Sequence, residues 1–173
     1  MRSQGVKSAV LVIDVQQGLF ERSTPVYHAE QMLENINALV ERAHHQGILV
    51  VYIQHSNEKL LLKGTRAWQF HPEIRLEAGD LHIHKQHGNA FQKTTLHNEL
   101  QNRNIDRLIV TGMVTQGCVR ATCLGGLELG YQVVLARDAH STYSKGPEKV
   151  IKRWHGELSE TGVTLSAAKE ISS

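Results

Sequence analysis

The sequence has few cysteines, prolines and aromatic residues and no long apolar run. Its 173 residues include two cysteines, three prolines and 5% aromatic side chains. The longest apolar runs, such as Ile48–Ile53, are too short for the core of a secretion signal or for a transmembrane helix. We therefore expect a cytoplasmic protein that has no membrane partner.

The charge is also nearly balanced. Nineteen basic and 17 acidic residues are interspersed and give a formal charge of +2, so the chain lacks the basic stripe that nucleic-acid binding requires. With 40% hydrophobic and 21% charged residues, the composition is that of a globular protein. The length predicts a single domain over residues 1–173 with one sizeable core.

The two cysteines are not a structural disulfide pair. Cys118 and Cys123 are five residues apart, which on a helix separates them by roughly 140° around the axis, so they point away from each other. Two free thiols are typical of a reducing compartment.

Apolar, β-branched runs alternate along the chain with segments of helical periodicity. Strands are predicted at 9–14, 48–53, 81–85, 108–110, 131–136 and 163–165, and helices at 29–46, 94–103, 118–130 and 147–162. This alternation predicts an α/β fold: a three-layer, doubly wound and mostly parallel sheet of six strands in the order 3-2-1-4-5-6.

Residues 54–80 break this rhythm. The segment contains Trp68, Phe70 and Pro72 but has only weak periodicity, and an ordered loop of this length is often a lid or a binding loop. The alternative is a surface excursion without function, which the two large aromatic side chains disfavour.

Three reactive side chains fall at the carboxyl ends of predicted strands: Asp14, Lys85 and, just past the fourth strand, Cys118. In an open parallel sheet, ligands bind beyond the carboxyl ends of the strands, where the strand order reverses. Taken singly, Asp14 could cap a turn, Lys85 could be a solvated amine and Cys118 could be a small core residue. Together they indicate a cysteine nucleophile with an acid and an amine beside it.

Cys118 is predicted to lie at the first turn of a helix. Unpaired backbone N–H groups and the positive end of the helix dipole favour the thiolate there, and a nearby Lys85 would lower the thiol pKa further. The backbone N–H groups of Val114 and Cys118 are placed to bind an oxyanion.

Four segments resemble one known family. They are Leu11–Gln16 with Phe20 beyond, Lys85 followed by Asn89–Phe91, the turn Gly112–Val119, and Gly130–Ala139. Their order and spacing are similar to those of the isochorismatase-like cysteine hydrolases, a group that includes nicotinamidases and N-carbamoyl amide hydrolases. The resemblance extends from Ala9 to Ser144.

The resemblance implies a role for each reactive residue. Cys118 would be the nucleophile, Asp14 the general base and acid, and Lys85 the third member of the triad. It also implies a cis peptide bond between Met113 and Val114, and a homo-oligomer.

A metal site is not expected. Nicotinamidases of this family bind a metal through an Asp-x-His pair after the second strand, where this sequence has His55 and Asn57. The pairs His82/His84 and His44/His45 lack convincing ligand spacing. We therefore predict the metal-independent branch of the family, without a cofactor.

The leading hypothesis is a hydrolase that cleaves the C–N bond of a small amide or ureido compound through a covalent acyl-enzyme on Cys118. Phe20, Trp68, Phe91 and Gln116 would contact the substrate. The alternative is a non-catalytic family member that binds a ligand or senses oxidants through Cys118. Substitution of Cys118 would abolish turnover in the first case and leave ligand binding intact in the second.

Overall fold

A six-stranded sheet forms the centre of the protein. The computed structural model describes residues 5–172, and every pair of neighbouring strands in its sheet is parallel, in the order β3-β2-β1-β4-β5-β6. The predicted α/β class and strand order are therefore confirmed. The strands are β1 (Ser8–Ile13), β2 (Leu49–His55), β3 (Leu81–Lys85), β4 (Arg107–Met113), β5 (Gln132–Ser141) and β6 (Thr164–Ser166).

Helices cover both faces of the sheet and make the three predicted layers. The long helix α2 packs on one face, and α3, α4 and α5 pack on the other. Within residues 5–172, no helix is both long enough and apolar enough to cross a bilayer. The α-helices are α1 (Gln17–Phe20), α2 (Ala29–His45), α3 (Leu96–Gln101), α4 (Arg120–Glu128) and α5 (Pro147–Thr161), with a 3₁₀ turn at Ala168–Glu170.

Strand β1 lies at the centre because its sequence suits burial on both faces. Every residue from Ser8 to Ile13 is buried, and successive side chains alternate between the two apolar clusters. Val10 and Val12 face α2, whereas Leu11 and Ile13 face the opposite layer. An uninterrupted apolar run is the pattern that such a central parallel strand requires.

The backbones of β1 and β4 approach each other very closely at Gly112. This glycine has φ +111°, and a Cβ atom at this position would lie 2.1 Å from the carbonyl oxygen of Ile13. Only glycine fits at such a contact. The close approach brings the residue after β1 next to the turn after β4.

Two predicted boundaries are wrong. Strand β5 was expected to end at Ala136 and be followed by a polar loop, but it continues to Ser141. The β4–β5 register shifts between Val110 and Gly112, where the extra residues lie in β5, and the last residues of β4 then pair with His140 and Ser141, which keeps this polar stretch in the sheet. Helix α3 is also shorter than predicted, and its Thr95 makes no capping hydrogen bond.

The segment that follows β2 is anchored near its middle. An isolated antiparallel bridge joins Gln16 and Phe70, and the Gly18 N–H donates to the Ala67 carbonyl at 2.8 Å. These contacts hold residues 67–70 against the loop that follows β1. The segment expected to lack regular structure was 54–80, but Gln54 and His55 belong to β2; over residues 56–80 the expectation is otherwise confirmed.

Candidate active site

The Lys85 ammonium lies at the centre of a cluster of polar groups at the carboxyl end of the sheet. Its Nζ is 3.0 Å from Asp14 Oδ2 and 3.2 Å from Cys118 Sγ. It also lies 2.9 Å from His55 Nδ1 and donates to the His87 carbonyl at 3.1 Å. The three residues singled out from the sequence therefore meet around one nitrogen, as their positions after β1, β3 and β4 predicted.

The ends of β1 and β3 fix the acid and the amine. Asp14 directly follows β1 in a left-handed conformation with φ +52°, and Lys85 is the last residue of β3. Their exposed fractions are only 3% and 2%. Because water is nearly excluded from this ion pair, each charge acts strongly on its neighbours.

Cys118 belongs to a π-helical turn rather than to the first turn of an α-helix. The turn spans Thr115–Val119, contains a non-helical Gly117, and precedes α4, which begins at Arg120. The peptide bond between Met113 and Val114 is cis, as the family resemblance implied. The sulfur is half-buried, so it is neither a core thiol nor a freely exposed one.

The environment of Cys118 favours its thiol, which corrects the expectation of a stabilised thiolate. Burial, followed by the negative charge of Asp14, raises its pKa to about 12, and the opposing effect of Lys85 is smaller than these two together. Helix N–H groups favour a thiolate, but the burial of the Cys118 side chain removes water that would stabilise the charge, and this effect is not visible in the local sequence. In the resting state the sulfur therefore keeps its proton.

Asp14 has an oxygen available for that proton. Its Oδ2 accepts from Lys85, whereas its Oδ1 is buried and has no hydrogen-bond partner within residues 5–172. A carboxylate oxygen of Asp14 lies within 4.8 Å of the Cys118 sulfur. The pair can therefore exchange a proton while Lys85 keeps the carboxylate oriented.

Two further residues of the site were missed by the sequence reasoning. His55 ends β2 and contacts Lys85, and the buried side chain of Gln16 brackets the His55 backbone. Gln16 Oε1 accepts from the His55 N–H at 2.9 Å, and Gln16 Nε2 donates to the His55 carbonyl at 2.8 Å. The same amide donates to the Trp68 carbonyl at 2.7 Å. The signal was present in the sequence, because both residues lie two positions after the end of a predicted strand.

The domain profile of the isochorismatase family, described as "Isochorismatase domain", matches residues 8–155. The chain belongs to the isochorismatase family. This match covers β1 to α5 and includes every residue of the cluster around Lys85.

Relatives and solved structures agree with this membership. The chain is 32% identical over 137 residues to a streptothricin hydrolase of Streptomyces noursei, an alignment that covers 78% of this chain and 50% of the relative. The chain thus spans about half the length of that relative. It is 25% identical over 153 residues to a maleamate amidohydrolase of Pseudomonas putida, covering 78% and 72% of the two chains.

The fold match is closer than the sequence match. The crystal structure of an isochorismatase-like hydrolase from Alkaliphilus metalliredigens superposes with a TM-score of 0.86 at 24% identity, covering 95% of this chain and 96% of the other. The arrangement of six strands and flanking helices is therefore that of the isochorismatase-like fold.

The metal that some isochorismatase-family enzymes hold does not fit this cluster. The donor atoms of Asp14, His55 and Cys118 lie within 4.8 Å of one another and are of the types that zinc uses. However, all three contact Lys85 Nζ, so a positive charge already stands between them. Asn57 is exposed, and its Oδ1 accepts from the backbone N–H groups of Lys59 and Leu61.

Two of the predicted substrate contacts lie on segments that border the cluster. The Trp68 ring stacks on His84 with centroids 5.6 Å apart, and its buried Nε1 has no hydrogen-bond partner within the described residues. Gln116, on the π-helical turn, donates to Ser144 Oγ at 2.7 Å. Both side chains are partly buried near the carboxyl ends of the strands.

The other two predicted contacts are engaged in packing. The Phe20 ring lies 4.4 Å from that of His71 and packs on the α2 side of the sheet. The Phe91 ring stacks on Tyr131, at the start of β5, with centroids 5.7 Å apart. Tyr131 marks the amino end of a parallel strand, so this contact directs Phe91 away from the carboxyl rim where Cys118 lies.

Proposed function

We propose that this isochorismatase-family chain is a metal-independent cysteine hydrolase that cleaves the C–N bond of a small amide or ureido compound. The observation that carries the proposal is the single ammonium of Lys85, which touches both Asp14 and Cys118. An acid, an amine and a thiol in mutual contact can take up, hold and return one proton during acyl transfer.

The first half of the reaction forms an acyl-enzyme. The Cys118 sulfur attacks the substrate carbonyl and passes its proton to Asp14 as the S–C bond forms. Because the free thiolate is disfavoured, proton transfer has to accompany the attack. Asp14 then returns the proton to the departing nitrogen, the C–N bond breaks, and ammonia or an amine leaves a thioester on the sulfur.

The second half consumes water. Asp14 takes a proton from a water molecule that attacks the thioester carbonyl, the C–S bond breaks, and the sulfur recovers a proton. The acid product leaves and the starting state returns. We assign the backbone N–H groups of Val114 and Cys118 to the oxyanion in both halves, since Val114 directly precedes the turn on which Cys118 lies.

The named activities of the relatives support this reaction class. One relative is a streptothricin hydrolase and another is a maleamate amidohydrolase. A cavity of about 280 Å³ lies beside Lys85; three lysines, two histidines, Ser56 and Gln86 line it, and neither a carboxylate nor Cys118 is part of its lining. Amides that carry a negative charge therefore belong in any substrate screen.

The proposal includes the setting of the enzyme. Two free cysteines suit a reducing compartment such as the cytoplasm, and we propose one hydrolase domain over residues 1–173 that forms a homo-oligomer and binds neither nucleic acid nor membrane. Trp68 and Gln116 are our proposed substrate contacts. The packing of Phe20 and Phe91 makes these two the weaker pair of our four candidates.

A panel of small amides tests the reaction. We expect the native protein to release ammonia or amine from at least one member of a set of neutral and anionic amides and ureido compounds, maleamate included. The Cys118→Ala variant should lose about a thousandfold or more of that rate. Intact-mass measurement after rapid quenching should detect the acyl group on the native protein.

Cys123→Ala is the matched control. Cys123 is a buried cysteine of α4 that makes no contact with the Lys85 ammonium, so its loss should leave turnover within a few fold of native. Turnover that survives in Cys118→Ala would contradict the proposed nucleophile. Absence of hydrolysis across the panel, with ligand binding retained in both proteins, would instead support a non-catalytic binding role.

A further inference from the structure

The Lys85 ammonium has more acceptors than hydrogens. A protonated lysine carries three N–H bonds, whereas four acceptor atoms surround Nζ within 3.2 Å. They are Asp14 Oδ2, His55 Nδ1, the His87 carbonyl oxygen and Cys118 Sγ. At any moment one of the four must share a hydrogen or go without one.

His55 takes part in this competition as an acceptor. Burial, and then the positive charge of Lys85, lowers its pKa below the usual histidine value, so the ring is neutral at pH 7. The contact of Nδ1 with an ammonium at 2.9 Å then places the ring hydrogen on Nε2 and the lone pair on Nδ1. His55 therefore draws one Lys85 hydrogen toward itself.

The backbone of His55 does not depend on this contact. Gln16 binds both its N–H and its carbonyl, and the residue ends β2, whose register with β3 reaches Lys85. A change confined to the imidazole would thus leave the chain in place. The ring can be altered separately from the scaffold that supports it.

We infer that His55 is a positioning residue that competes with Cys118 for a hydrogen of the Lys85 ammonium. When the sulfur carries its proton, the hydrogens go to Asp14, His55 and the His87 carbonyl. When the sulfur becomes negative, it forms the stronger, charge-assisted hydrogen bond and one acceptor must release its hydrogen. Among the three acceptor side chains His55 is then the uncharged one, so we assign to it the loss of its hydrogen bond from Lys85.

This inference rests on the proposed function only in treating Cys118 as the reactive thiol. It concerns the ease with which the sulfur loses its proton, and alkylation reports that property without any substrate. The charged and titratable groups that face the sulfur are Asp14 and Lys85, with His55 and His87 behind them. Failure to find a substrate would therefore leave the test intact.

The test compares His55→Leu with His55→Asn. Leucine removes the acceptor, whereas the asparagine amide oxygen can replace Nδ1. We expect the pH midpoint of Cys118 alkylation by iodoacetamide to fall by about half to one unit in His55→Leu, which is a three- to tenfold faster reaction at neutral pH. His55→Asn should restore the native profile.

Mass spectrometry assigns the alkylation to one cysteine. Trypsin cleaves after Arg120, so Cys118 and Cys123 fall on different peptides. His82→Leu is the control for loss of a nearby imidazole, because His82 packs against Tyr52 and Phe70 and makes no hydrogen bond to Nζ. Circular dichroism should show that each variant is folded.

The inference is overturned if leucine and asparagine shift the midpoint equally, or if leucine slows alkylation. Either result would mean that the imidazole acts by bulk and not by accepting a hydrogen bond. If His55→Leu does not fold, His55→Ala takes its place: a midpoint below that of His55→Asn supports the acceptor role, and equal midpoints for these two variants overturn it.

Discussion

The two ends of the sheet differ in cavity volume and in the number of reactive side chains, and the two properties do not go together. The amino end borders a cavity of about 600 Å³, lined in part by Lys7, His44, Gly47 and Arg103. The carboxyl end holds the Lys85 cluster, beside a cavity less than half that size. The larger space is therefore not at the end that concentrates reactive groups.

The partners of the acidic side chains also differ between the two ends. At the amino end a histidine, His44, contacts Asp80, whose side chain is 3% exposed, and Glu77, whose side chain is 62% exposed. At the carboxyl end, the side chains of Lys85 and Asp14 are 0% and 4% exposed. Because charges interact more strongly where water is excluded, this buried lysine–carboxylate pair locates the reactive end better than cavity volume does.

The largest expected effect comes from two glycines, one at each end. Gly112→Ala would drive a Cβ into the Ile13 backbone, so we expect either no folded protein or a loss of stability above about 4 kcal/mol. Gly47→Ala, at φ +67° with open space around it, should cost about 1 to 2 kcal/mol. Urea unfolding measures both, and similar losses would contradict the tight contact between β1 and β4.

The next effect comes from the ion pairs. Lys85→Met should reduce stability by about 3 to 5 kcal/mol, because it leaves the buried Asp14 carboxylate without its cation. Glu77→Gln should cost less than about 1 kcal/mol, since its partner contact is exposed to water. Guanidinium unfolding at neutral pH provides the comparison. Equal losses would show that burial does not distinguish the two ends.

The smallest effect concerns the thiol. The Asp14 charge helps raise the Cys118 pKa to about 12, so alkylation of the native protein should be slow at pH 7 and rise about tenfold per pH unit through the alkaline range. Asp14→Asn should move this profile to lower pH and speed alkylation at pH 8 by roughly tenfold.

Hydrolysis should respond to the same change in the opposite direction. Asp14→Asn removes the group that we propose takes the proton, so turnover should fall while the thiol becomes easier to ionise. The matched change at the amino end, Asp80→Asn, should leave both alkylation and turnover unaltered. Slower alkylation in Asp14→Asn would contradict the cause that we assign to the raised pKa.

The sequence predicted the framework because burial on both faces leaves a strong pattern. Residues 9–13 and 49–53 are apolar at every position, and Gly47 and Gly162 follow their helices in left-handed conformations. The end of β5 was missed because Asp138 and His140 are polar, and their place in the sheet depends on a shift of the β4–β5 register, which is a non-local feature.

The site was predicted as a set of residues but not as an electrostatic environment. The positions of Asp14, Lys85 and Cys118 after strand ends follow from chain order, so their meeting could be foreseen. The thiol pKa could not, because it depends on how deeply the sulfur is covered and on its distance from a carboxylate. His55 was noticed only as a missing metal ligand, since its partner lies on another strand.

The side chain of Gln16 has a consequence for how a substrate reaches the sulfur. Its amide and that of Gln54 both donate hydrogen bonds to the Trp68 carbonyl, which fixes Trp68 next to the ends of β1 and β2. The segment between β2 and β3 thus has a fixed part at residues 67–70 and a mostly exposed part at residues 56–66. A movement of this segment that changes access to Cys118 should therefore involve residues 56–66, while residues 67–70 stay in place.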